Sequence, residues 1–216
     1  MRLTGPPRQL TGAAVAAGAR SLARRDPALA GLLARQGPPP LWGRQPGFPT
    51  LVRIILEQQV SLAAARTMYL RVHQRLGGVT PRTIHRCTEA GLRKLGLTRQ
   101  KAAYCHGLAT RILEGGLDLG AVARAPDAEG QEMLLAVPGL GPWSVSIYYL
   151  MALRRPDVWP PGDLALAVAL QRVLGLPRPP NAAEQARRAE AWAPWRSVAA
   201  RLLWHYYLTT PRRPPG

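Results

Sequence analysis

Strand-forming patterns are nearly missing from this chain, and that absence limits its fold more than any single motif. The sequence holds one Phe, few β-branched runs and no convincing alternation of apolar with polar side chains. Helical spacing recurs instead. Leu51, Ile54, Ile55 and Gln58 share one face, and beyond Val60 and Ser61 a second stripe runs through Leu62, Ala65, Tyr69, Val72 and Leu76. Ser61 is placed to cap that second helix. The 22 Pro and 21 Gly punctuate the chain, notably at Gly37 to Pro40, Gly77-Gly78, Gly115-Gly116, Pro138 to Pro142, Pro160 to Gly162 and Pro177 to Pro180, so the helices must be short. Asn181 with Glu184 has the spacing of a capping box, and Pro194 is placed to open the last helix. The chain reads as all-α without internal repeats, ending in a loose tail from Pro211 to Gly216.

A chain of 216 residues, 47% apolar and 19% charged, can bury a core without staples and lacks the polar bias of disorder. Its 29 Lys and Arg oppose 12 Asp and Glu, a formal charge of +17. Lys94 and Lys101 are the only lysines, so the charge is almost wholly arginine, whose planar fork matches phosphate. A polyanion such as nucleic acid is the first partner to consider, with genomic base composition as the rival explanation. Cys87 and Cys105 are too few for a disulfide scaffold, a four-cysteine zinc site or an iron–sulfur cluster, and they read as reduced thiols in a cytoplasmic protein. The scattered His73, His85, His106 and His205 have no metal-ligand spacing. The best apolar run, Val145 to Leu153, is half the length of a membrane span, and charges at Arg20, Arg24, Arg25 and Asp26 interrupt the segment that most resembles a targeting peptide.

The sharpest local feature is Leu134-Leu135-Ala136-Val137-Pro138-Gly139-Leu140-Gly141-Pro142-Trp143-Ser144. A helix ends, a tight turn with two glycines follows, and a new helix begins at Pro142 or Trp143. Glycines let a backbone approach a phosphate, and free amides at the new helix's start point their dipoles at an anion; the same pattern also caps ordinary helices. Downstream, Asp163 stands at a helix start, where an aspartate commonly caps free amides. It also heads the apolar stripe of Leu166, Ala167, Leu170 and Leu174, which aims the carboxylate inward. On the last helix, Trp195, Val198, Ala199, Leu202 and Tyr206 make one stripe. Trp204 points to the opposite, less apolar face, either to pack another lobe or to line a ligand pocket.

The hairpin followed by Asp157-Val158-Trp159-Pro160-Pro161-Gly162-Asp163-Leu164 resembles the helix-hairpin-helix glycosylase superfamily (HhH-GPD) of base-excision repair. Asp26-Pro27 with the run to Gly37, Ile54 to Ser61, Gly96 to Ala102, and Trp192 to Ser197 with Trp204 resemble its bacterial 3-methyladenine DNA glycosylase II branch (AlkA type), in the same order. The resemblance implies a two-lobed helical fold without an N-terminal sheet domain. Its barrel lobe would span 50–160 and carry the hairpin at 134–152; the second lobe would combine 1–49 with 161–216. The cleft between them would hold Asp163, Trp143 and Trp204.

The implied activity is monofunctional hydrolysis of the N-glycosidic bond of alkylated bases in double-stranded DNA: 3-methyladenine first, then 7-methylguanine or ethenoadenine. Asp163 would be the catalytic aspartate. Trp143, Trp204 and Ile147 would line the base pocket, where electron-rich rings attract a cationic purine. Gln58, Gln59, Gly139, Gly141 and Ser144 would bind DNA, with Gln59 filling the gap left by the flipped nucleotide. The backbone carbonyls of Leu135, Val137 and Gly139 would hold a structural Na⁺ or K⁺ ion, and no catalytic cofactor is implied. Relatives that also nick the strand carry a Schiff-base lysine where this chain has Trp143, so no lyase activity is expected. Lys101 reads as a solvated or phosphate-contacting side chain, and Glu57 as a brace acting through Arg53 or Ser61. Asp157 reads as a surface or loop-bracing residue, and Tyr148 and Tyr149 as core. The protein is expected to be a cytoplasmic, nucleoid-associated monomer with no membrane partner. The alternatives are the same fold acting on uracil, hypoxanthine or a mismatched base, and a non-catalytic DNA-binding module.

Overall fold

Polar caps and glycine or proline stops cut the chain into helices at nearly every point the punctuation marks. The computed structural model describes residues 7–210, so the tail expected to be loose lies outside the described residues. Among the described residues there are twelve α-helices and no strand. Contacts divide the chain into two compact units. One takes in the chain up to Gly43 and from Tyr149 onward; the other is Arg44–Tyr148.

The Arg44–Tyr148 unit contains α3 (Phe48–Glu57), α4 (Leu62–Leu76), α5 (Pro81–Lys94), α6 (Arg99–Leu113), α7 (Leu119–Arg124), α8 (Asp127–Leu135) and most of α9 (Pro142–Met151). Ser61, Thr80, Thr98 and Asp118 accept from free amides at the starts of α4 to α7. Leu51, Ile54 and Ile55 of α3 are fully buried with Val72, Ile84, Leu92, Ala102, Cys105 and Leu108, so the stripe read from the sequence is the face that packs. α5 is broken at Thr88, which adopts φ 60° and ψ 166°, while its Oγ1 accepts from Gly91 N and caps the second half. α9 begins at Pro142 as read, and Tyr148 is buried with its hydroxyl accepting from Gly47 N.

The other unit contains α1 (Gly12–Ala23), α2 (Pro27–Gln36), α10 (Leu164–Leu174), α11 (Ala182–Glu190) and α12 (Arg196–Thr209), with the last residues of α9. α12 packs on α1, α2, α10 and α11. Gly18 of α1 must be a glycine, because a Cβ there would lie 2.6 Å from the Trp195 ring. The capping box of Asn181 and Glu184 forms as its spacing predicts. Pro194 does not open α12. Residues 191–194 close a turn in which Trp195 N donates to Trp192 O at 2.8 Å, and Trp195 at φ −121° becomes the cap of a helix starting at Arg196.

Arg201, fully buried in α12, donates to Trp42 O at 2.7 Å and Leu150 O at 2.9 Å. Burial pulls its pKa down to about 10, with Arg154 adding to the effect, so it stays charged at neutral pH and ties three segments of this unit to one cation.

Candidate functional site

In the unit formed by the two ends of the chain, Asp163 caps α10 by accepting from Leu166 N at 3.0 Å. The cap and the inward aim are both correct, because the residue is only 8% exposed. Trp204 Nε1 donates to the same oxygen, Oδ1, at 3.1 Å, and the indole too is 8% exposed. The less apolar face of α12 therefore puts an aromatic ring and a carboxylate side by side at the start of α10. Ser197, on that face, accepts from Val158 N and donates to Val158 O, which anchors the loop leading to Asp163. Asp157 braces the same loop through a fork from Arg196 at 2.7 Å.

In the Arg44–Tyr148 unit, the hairpin joins α8 to α9. Gly139 has φ +91°, and a Cβ on it would meet the Tyr104 ring at 2.3 Å, so both backbone angle and space demand glycine. Gly141 is exposed, with nothing near a would-be Cβ. A concavity of about 420 Å³ borders this turn, lined by Gln58, Gln59, Gln100, Lys101 and Tyr104 together with residues of the hairpin. Neither Asp163 nor Trp204 lines it. Trp143 is half-buried in the first turn of α9, and Ile147 follows one turn later, buried.

The turn after α3 is held by side chains from several elements. Lys101 is buried, and its Nζ donates to Leu56 O at 2.7 Å, capping the end of α3. The reading of Lys101 as solvated or phosphate-bound is thus corrected: its ammonium is buried on a backbone carbonyl, and burial pulls its pKa below the ordinary value. Glu57 is braced by Arg53 at 3.3 Å as expected, but its main partner is Arg44, which forks onto both carboxylate oxygens at 2.8 and 2.9 Å. Gln58 Nε2 donates to Gly139 O at 2.8 Å and Ser144 Oγ at 2.9 Å, so two residues read as DNA contacts, Gln58 and Ser144, also bind each other. Gln59 is exposed and adopts φ +57°. Of the three carbonyls read as ion ligands, Val137 O accepts from Leu140 N and Gly139 O from Gln58, which leaves each a second lone pair.

Sequence reading missed Arg44, Lys101 as a cap, and Tyr104 behind the hairpin. Arg44 lies 13 residues from Glu57 in a segment without periodicity, so nothing in one dimension marks the pair.

Residues 52–195 match the family model described as HhH-GPD superfamily base excision DNA repair protein, and the chain belongs to that superfamily. It is 34% identical over 163 residues to the probable bifunctional transcriptional activator/DNA repair enzyme AlkA of Mycobacterium tuberculosis, covering 71% of this chain but 32% of that protein. Against DNA-3-methyladenine glycosylase 2 of Escherichia coli it is 30% identical over 169 residues, 73% of this chain and 57% of the relative. The chain thus spans well under two thirds of the length of these relatives. The crystal structure of DNA-3-methyladenine glycosidase from Bacillus halodurans superposes with a TM-score of 0.76 at 28% identity, covering 89% of each chain.

Proposed function

We propose that the protein is a monofunctional DNA glycosylase that hydrolyses the N-glycosidic bond of alkylated purines in double-stranded DNA, 3-methyladenine foremost. The observation that carries this reading is the Asp163 carboxylate, held at the head of α10 by Leu166 N and Trp204 Nε1. A purine methylated at N3 or N7 is already cationic and leaves as a neutral base, so no general acid is required. Charge then develops on the sugar, and the carboxylate is the group to stabilise that oxocarbenium-like centre and direct water to it. The indole of Trp204, beside that carboxylate, supplies an electron-rich face for a cationic base, worth about 0.5 to 2 kcal/mol. Both named relatives with defined substrates act on 3-methyladenine, which supports the choice of lesion.

Gln59, exposed beyond the end of α3, is the candidate plug for the vacated stack, and the Gly139–Gly141 turn the candidate phosphate grip. The carbonyls of Leu135, Val137 and Gly139, neutral oxygens with lone pairs to spare, fit a monovalent cation; bound there, it would add positive charge beside a phosphate. With Trp143 where a Schiff base would need an amine, the product is an intact abasic strand.

The test is release of free base from methylated duplex DNA by wild type and Asp163→Asn. The variant keeps a capping oxygen and is expected to fold while losing at least about a hundredfold in rate. Equal release by both would remove Asp163 from the mechanism; release from uracil or hypoxanthine duplexes alone would overturn the lesion class. Borohydride is expected to trap no protein–DNA adduct.

A further inference from the structure

The turn that carries Gln59 is over-determined. Leu56 O is bound by Lys101, Glu57 by Arg44 and Arg53, and Gln58 by Gly139 and Ser144, while Ser61 on the far side caps α4 through Ala64 N. Between these anchors Gln59 takes a positive φ of 57°, which a residue with a side chain avoids at a cost of about 1 kcal/mol or more. Such a conformation persists only where its surroundings impose it. The wedge is therefore built before any DNA arrives.

Among these anchors Gln58 differs in what it joins. Lys101 fixes the end of α3 to α6, and the two arginines fix it to the segment before α3 and to α3 itself. Gln58 alone of the three anchored residues runs to the hairpin, with both hydrogens of its amide committed there, one to the glycine turn and one to the first turn of α9. The hairpin is itself backed by α6, where the Tyr104 ring lies against Gly139 and Gln100 donates to the Tyr104 hydroxyl at 2.8 Å. A phosphate seated on the hairpin would thus be one side chain away from the backbone that presents Gln59.

We infer that Gln58 is a positioning residue that keeps the Gln59 wedge in register with the phosphate grip, so that seating the backbone and filling the stack are one event. This rests on the DNA-binding reading of the hairpin and deepens it. If Gln58 merely touched DNA, its loss would weaken affinity; as a strut, its loss leaves affinity and impairs what the wedge does.

The experiment is amide hydrogen exchange on the full chain, with and without an undamaged duplex, for wild type, Gln58→Ala and the milder Ser144→Ala. Without DNA, residues 59–61 of Gln58→Ala should exchange about tenfold faster, with α3 and α6 unchanged. Adding duplex should protect both 59–61 and 139–144 in wild type, but only 139–144 in the variant. In single-turnover excision the variant should lose about tenfold in rate with affinity for undamaged duplex within about twofold, and Ser144→Ala should show a smaller loss of the same kind. Equal protection of 59–61 in variant and wild type would overturn the inference, as would lost protection of the hairpin. Protection of neither segment in wild type would instead defeat the underlying reading, a result separable from the first two.

Discussion

Trp204 Nε1 and Leu166 N converge on one oxygen of Asp163, at 3.1 and 3.0 Å. One bond is made within α10 and the other from α12, so the carboxylate is fixed by the packing of two helices rather than by its own rotamer. Trp204→Phe keeps the ring and deletes one donor. Loss of a hydrogen bond to a charged acceptor costs about 1 to 3 kcal/mol, so the variant should melt several degrees lower. It should also excise more slowly, because the carboxylate is held less firmly. Unchanged stability and rate would mean that the indole N–H contributes nothing at this site.

Glu57 is buried and held by two arginines of unequal standing. Arg44 forks onto both oxygens and is 19% exposed, whereas Arg53 makes one 3.3 Å contact and is 44% exposed. Removing Arg44 leaves a buried carboxylate with a partner half in water, and Arg44→Ala should cost about 3 kcal/mol. Arg53→Ala should cost under about 1 kcal/mol. Urea unfolding of both, with Arg44→Ala/Glu57→Gln to restore part of the loss, checks the ranking. Equal costs would overturn it.

The two arginines mark the limit of sequence reading: Arg53, four residues from Glu57, lies within it, and Arg44, thirteen residues away, lies beyond it. Helix existence, caps and inward faces follow from spacing of three and four residues, which is why the α3 stripe, the Asn181–Glu184 box and the inward turn of Asp163 were legible; of the α4 stripe, Ala65 and Val72 are buried but Leu62, at the helix start, is exposed. The groups that hold the Gln59 turn come from residues 44, 101, 139 and 144, brought together by packing that no local period encodes. Lys101 shows the error most clearly. A cation just after the Thr98 cap looks exposed in one dimension, yet the carbonyl it caps is 45 residues away at the end of α3. The break at Thr88 was missed because threonine is not a residue that punctuates helices in the way Gly or Pro does.

The α11 capping box also predicts a pH effect. Glu184 takes a fork from Arg178 at 2.8 and 2.9 Å and the Asn181 N–H at 2.8 Å, and these bonds, the arginine first, hold its carboxyl down to about 2, below the ordinary 4.5. A depressed pKa stabilises the fold fully above 4.5, and that contribution fades as pH falls toward about 2. Wild type should therefore melt above Glu184→Gln at neutral pH, with a gap that narrows steadily below pH 4.5. Solvent screening keeps the gap small. A gap that widened on acidification would contradict the pairing.

The formal charge of +17 makes a last prediction, because not all of it is available to a polyanion. Arg44, Arg178 and Arg196 are forked onto carboxylates, and Arg201 is buried on two carbonyls. Arg99, by contrast, is exposed in the first turn of α6, next to Gln100, which lines the concavity at the hairpin. Binding to undamaged duplex releases counterions, so a footprint of about six phosphates should weaken affinity about a thousandfold between about 50 and about 200 mM salt. Arg99→Gln should lower the slope of log K against log salt by about one, whereas Arg178→Gln, whose charge is already engaged, should leave it unchanged. A slope near zero for wild type would mean that the arginine surplus serves no electrostatic grip on DNA, and equal slopes for the two variants would remove the α6 start from the contact surface.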